Sequence, residues 1–123
     1  MSKADELEDR LIDFAVRVLR LADSLPSTPV GRHIASQLLR SGTSPAPNYA
    51  EARGAESNPD FIHKLKIATK ELNETSVWIR MIERAGLLPA ERLADLIDEN
   101  QQLCKILNAS IRTTRNSRMI NKK

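Results

Sequence analysis

Leu7, Leu11, Phe14, Val18, Leu21 and Leu25 follow one another at intervals of four, three, four, three and four residues. That alternation is the signature of one face of an α-helix, and it predicts a first helix over residues 5–25. Ile12, Val16 and Leu19 fall on a different side of the same helix, with Asp9, Asp13, Arg17 and Arg20 on the remaining arc. Apolar residues spread over more than one stripe mark a helix that is covered on two sides. One bundle of this size covers one side, so the other is expected to face a partner chain.

The rest of the chain keeps the same period. After the connection "SLPSTPVGR", helical spacing resumes over residues 30–40 through Ile34, Leu38 and Leu39. Asn58 is expected to cap a third helix, with Pro59 pre-set for its first position, and Gly86 to stop it after about Ala85. Its core stripe reads Phe61, Leu65, Ala68, Leu72, Thr75, Ile79 and Ile82. Pro89 opens a fourth helix with the stripe Leu93, Ile97, Asn100, Cys104, Leu107 and Ile111. Aromatic residues are only 3%, which disfavours sheets, and no strand-like alternation or repeat is present. The 123 residues suffice for one domain with a real core. Short connections make neighbouring helices antiparallel, so the expected fold is an all-α, up-down-up-down four-helix bundle.

The stretch "SGTSPAPNYAEA", residues 41–52, interrupts this regularity. A phosphate-cradling loop needs converging backbone N–H groups, but there is one glycine here, no nearby lysine, and two prolines that remove donors. A domain linker is equally excluded, because neither half has enough apolar residues to fold alone. What remains is a second helix over residues 29–56 that is kinked or briefly interrupted near 42–45. Ser44 is expected to cap its second part, with Pro45 and Pro47 in the first turn, where N–H groups lack intrahelical partners.

Ser44, Asn48, Ala50 and Glu51, then Phe61, Leu65, Ile67 and Ala68, then Glu74, Thr75 and Trp78 form spaced elements over most of the chain. Together they resemble the four-helix bundle proteins encoded in 23S rRNA intervening sequences. Pro45 and Pro47 depart from that pattern at the place where the kink is expected. The resemblance implies an antiparallel four-helix bundle that assembles as a homopentamer, and it does not imply an enzyme. A related branch, the accessory proteins of diversity-generating retroelements, is similar in fold and binds nucleic acid and a reverse transcriptase.

Net charge is +3, but the last twelve residues carry +5 and no acid, which leaves −2 on the rest. This basic tail, from about residue 112, contains Arg112, Arg115 and Arg118 as well as Lys122 and Lys123. It could meet phosphates or an acidic partner, although cations also suit the negative end of a final helix. The polar start "MSKADELEDR" lacks the apolar segment of a signal peptide, and no apolar run is long enough to cross a bilayer. A single cysteine excludes an internal disulfide. A cytoplasmic protein with no membrane contact is expected.

Catalytic chemistry finds few candidates. Asp60 and His63 share the i, i+3 spacing of di-iron bundles, but the second such pair and the extra carboxylates are missing. Neither histidine follows an arginine by four to six residues, as in nucleic-acid-cutting bundles of the HEPN type. No nucleophile and base grouping, metal set, cofactor pattern or small-molecule substrate is evident. Beside the core stripe of the third helix runs a second line, Ile67, Glu71, Glu74, Trp78 and Met81. Tryptophan and methionine are enriched at interface centres. A subunit seam made by Ile12, Val16, Leu19, Ile67, Trp78 and Met81 is therefore expected. The plainer alternative is that Trp78 widens the core.

Lys66, Lys70, Arg80 and Arg84 lie opposite the core stripe and, with the tail arginines, are candidates for binding RNA or DNA. The alternative is an ordinary solvated face. Asn48, Glu51 and Asn100 are expected to form structural polar contacts, with Glu51 reaching Arg40 or Arg53.

Overall fold

The computed structural model of the protein describes residues 1–121, with side chains to residue 117. Five helices make four rods: α1 (Lys3–Asp23), α2 (Pro29–Thr43), α3 (Pro45–Arg53), α4 (Asn58–Arg84) and α5 (Ala94–Asn121). A single 3-10 turn, Ala90–Arg92, precedes α5, so Pro89 opens that turn rather than the helix itself.

Helix α1 begins two residues before the expected start because Ser2 closes a capping box. The Asp5 N–H donates to Ser2 Oγ at 3.0 Å, and the Ser2 N–H donates to Asp5 Oδ2 at 3.2 Å. Thr28 caps α2 with a single bond, its hydroxyl accepting from the Gly31 N–H. For α4 the cap is Ser57, whose hydroxyl accepts from the Asp60 N–H, so Asn58 stands one position inside the helix rather than on its boundary. The end of α4 is as expected. Gly86 takes φ 68°, and the N–H of Leu87 reaches back to the Ile82 carbonyl at 3.1 Å.

The break between α2 and α3 is narrower than a capped restart. Ser44 keeps right-handed helical dihedrals, and its hydroxyl caps nothing. Pro45 and Pro47 cannot donate to the carbonyls four residues earlier. Past them the ladder resumes, with the Asn48 N–H donating to the Ser44 carbonyl at 3.2 Å. The Asn48 side chain adds a second donor, Nδ2 reaching the same carbonyl at 3.0 Å and Ser44 Oγ at 2.9 Å. The two helices therefore behave as one bent rod.

The α2–α3 rod packs beside α1 and α4, and α5 packs beside α4 and closes on α1. Helices α1 and α4 thus occupy diagonal corners. Leu11, Val18, Leu38, Leu65, Leu72, Ile79, Leu93, Leu103 and Leu107 are wholly buried between them, each contributing on the order of 2 kcal/mol of transfer energy. The predicted stripes of α4 and α5 hold except at three positions. Ile62 rather than Phe61 is buried at the start of α4, and Leu96 and Leu103 rather than Ile97 and Cys104 line α5. The displaced residues are half-buried at the margin of the core.

Candidate interaction surfaces

Surplus apolar side chains gather on two faces. On α1, Ile12 is 45% exposed and Leu19 is 43% exposed, with Val16 half-buried between them. This stripe lies about 150° around the helix from the core line. It is on the same side as Asp5 and Glu8, which pair with Arg53 of α3 at 2.9 Å and 3.4 Å. It therefore looks outward beside the α2–α3 rod. Asp9 and Asp23 flank it at i−3 from Ile12 and i+4 from Leu19, with Arg20 as the cation between them.

On α4, Met81 is 45% exposed and Val77 is 38% exposed. They line an open concavity of about 500 Å³ with Arg80, Arg84 and Ala85. Trp78 and Ile67 are half-buried. The indole lies on the α2 side of α4. Its Nε1–H donates to Glu74 Oε2 at 3.1 Å, and its ring meets His33 edge-on at a centroid distance of 6.0 Å. Arg40 pairs with Glu74 and with Glu71, the latter at 3.1 Å. Trp78 thus belongs partly to the joint between α2 and α4, while Met81 stands clear of it. Val77 was missed from sequence because it lies off the Trp78 line. Its i, i+4 relation to Met81 is the signal that would have found it. Val30, 58% exposed at the start of α2, was missed as well.

The expected polar residues take separate roles. Glu51 pairs with Lys64 at 2.7 Å and reaches neither Arg40 nor Arg53. Those arginines are drawn instead to carboxylates on facing helices. Asn100 is 2% exposed, and its Nδ2 donates to the Leu72 carbonyl at 3.0 Å across the α4–α5 contact. The Cys104 thiol sits 3.6 Å from both Asn100 Oδ1 and Asn73 Oδ1, and burial pushes its pKa up, away from the reactive thiolate. The two histidines are far apart. His33 touches Trp78, whereas His63 lies fifteen residues from Trp78 along α4, about 22 Å away at the helical rise. No three His, Cys, Asp or Glu residues converge among the described residues. No helix among them is long and apolar enough to cross a membrane.

The basic candidates divide. Lys66 and Lys70 of α4 meet Arg112 and Arg115 of α5 along an open groove of about 400 Å³, which Thr69, Asn73, Asn108 and Ile111 also line. Arg80 and Arg84 instead border the apolar concavity near the other end of α4. Arg112 and Arg115 are part of α5, which stays helical to Asn121. Arg118, Lys122 and Lys123 lie outside the described side chains.

No curated protein matches the chain. Among solved structures, a protein of unknown function from the S23 ribosomal protein family of Bacteroides thetaiotaomicron VPI-5482 is similar. It is 35% identical, with a TM-score of 0.81 over 85% of this chain and 97% of that one. Residues 6–109 match the family described as 23S rRNA-intervening sequence protein. That span reaches from the first turn of α1 into α5 and takes in both surplus apolar faces, and the chain belongs to the 23S rRNA-intervening sequence protein family.

Proposed function

We propose that this protein is a non-catalytic scaffold that joins copies of itself into a closed ring, a homopentamer, in the cytoplasm. The carrying observation is the pair of exposed apolar faces on diagonal helices, Ile12 and Leu19 on α1 and Val77 and Met81 on α4. Exposed apolar clusters rimmed by charge mark interaction sites. Because the faces differ and point in different directions, one copy's α1 stripe meets the next copy's α4 concavity. A contact of that head-to-tail kind closes into a ring when its rotation allows. Charge supports the pairing, since Asp9 and Asp23 flank one face and Arg80 and Arg84 the other.

Mixing two variants tests the head-to-tail geometry. Ile12→Glu spoils the α1 face and Met81→Glu spoils the α4 face, so each alone stays monomeric. Together they retain one intact face each and form a heterodimer that cannot grow. A failure of the mixture to associate, with both variants folded, would count against this contact.

A second reading, an accessory protein for a reverse transcriptase or another nucleic-acid enzyme, draws on the basic groove between α4 and α5. It is compatible with a ring, because repeated grooves raise avidity for a long polyanion.

A further inference from the structure

The groove between α4 and α5 joins residues that are more than forty positions apart in sequence. Lys66, Lys70, Arg112 and Arg115 all border it, and no Asp or Glu does. After Glu99, α5 carries no acid through Asn121. None of the ion pairs among the described side chains engages any of these four cations. Elsewhere on this molecule the arginines facing a neighbouring helix find carboxylates, as Arg10 finds Glu99 at 2.6 Å and Arg53 finds Asp5. Packing therefore does not account for the groove.

Helix electrostatics does not account for it either. A cation gains from the helix dipole only in the last turn, and Arg112 and Arg115 stand nine and six residues before Asn121. Four like charges brought together repel one another, a cost that a bound polyanion would convert into attraction. The groove also holds neutral hydrogen-bonding groups. Asn73 and Asn108 line it, and with the Asn73 carbonyl oxygen facing the Cys104 thiol, its amide NH₂ is left to donate. No aromatic residue lines it, so stacked bases have no platform.

We infer that the α4–α5 groove is a binding site for the phosphate backbone of RNA, with the two asparagines placed to meet ribose 2′-hydroxyls. The cations supply attraction without sequence preference, and the amides supply the preference for RNA over DNA. The groove adjoins the α4 self-association face, since Asn73 stands one turn before Val77, and it runs away from it to Lys66, fifteen residues from Met81 along α4, or about 22 Å.

Fluorescence anisotropy with a short unstructured RNA and its DNA counterpart tests this. Four phosphate contacts predict a slope of log K against log salt of about −3, or roughly a fifty-fold loss of affinity between ~50 and ~200 mM salt. Replacing Lys66→Gln and Arg112→Gln together should halve that slope, weaken RNA binding at least tenfold, and raise Tm slightly by removing the repulsion. Arg17→Gln with Arg92→Gln, a basic pair that lines a different hollow, should leave binding unchanged. Equal affinity for the DNA would overturn the assignment to RNA. Absence of binding at low salt, or an equal loss from the Arg17 and Arg92 pair, would overturn the site. Light scattering on the groove variant separates this result from any failure to self-associate.

Discussion

A Cβ on Gly42 would lie 2.5 Å from Val18 Cγ1 and 2.8 Å from Val18 Cγ2. Helix α2 rests on α1 at this point with no side chain between the backbone of one and the valine of the other. Val18 is wholly buried, so it cannot swing into solvent to make room. The close approach also sets where the bent second rod passes α1, directly before the break at Ser44. Replacing Gly42→Ala forces the two helices apart and is expected to cost about 1–3 kcal/mol, the range of core overpacking. Urea denaturation checks this. An unchanged midpoint would mean that the contact is looser than described.

Acid should loosen the joint between α1 and α3. The Arg53 guanidinium, and after it the Ser2 hydrogen bonds, hold the Asp5 carboxyl below its ordinary pKa. A depressed carboxylate stabilises the fold above its unfolded-state pKa and loses that contribution as pH falls through the folded-state value. Asp5→Asn should therefore be less stable than the parent at neutral pH. The difference should vanish below the usual carboxylate range. Denaturation midpoints of the two proteins across an acid series read this directly, and a gap that persists at the lowest pH would contradict it.

Cys104 should react sluggishly. It is half-buried on α5, and desolvation pushes the thiol pKa up, so little thiolate is present near neutrality. Alkylation of the native protein is expected to be at least about tenfold slower than in denaturant, where the thiol titrates normally. Equal rates would show that this part of α5 is open to solvent.

Much of the fold is legible in the spacing of apolar residues, because four-three alternation fixes a helix and short connections fix its neighbours. The one-residue shifts in α4 and α5 were not legible. Ile97 and Cys104 run beside Leu96 and Leu103 at the same period, and only the position of α4 decides which line is buried. Ion pairs failed for a related reason. Glu51 was expected to find an arginine near it in sequence, but its partner Lys64 is supplied by the next helix running antiparallel. Lys66 with Lys70, and Arg112 with Arg115, were each visible as basic clusters. Their meeting in one groove depends on the register of α4 against α5, which no local pattern encodes.

The apolar faces bear on the central claim. Trp78 is partly absorbed by its own chain through Glu74 and His33, but Ile12, Leu19, Val77 and Met81 stay in solvent. The proposed ring would cover them.

Light scattering coupled to size exclusion at micromolar protein tests this most directly. The account predicts a single species of about five times the 13.8 kDa chain mass, reduced to one chain by Ile12→Glu. A wild-type protein that elutes as a folded monomer would contradict it.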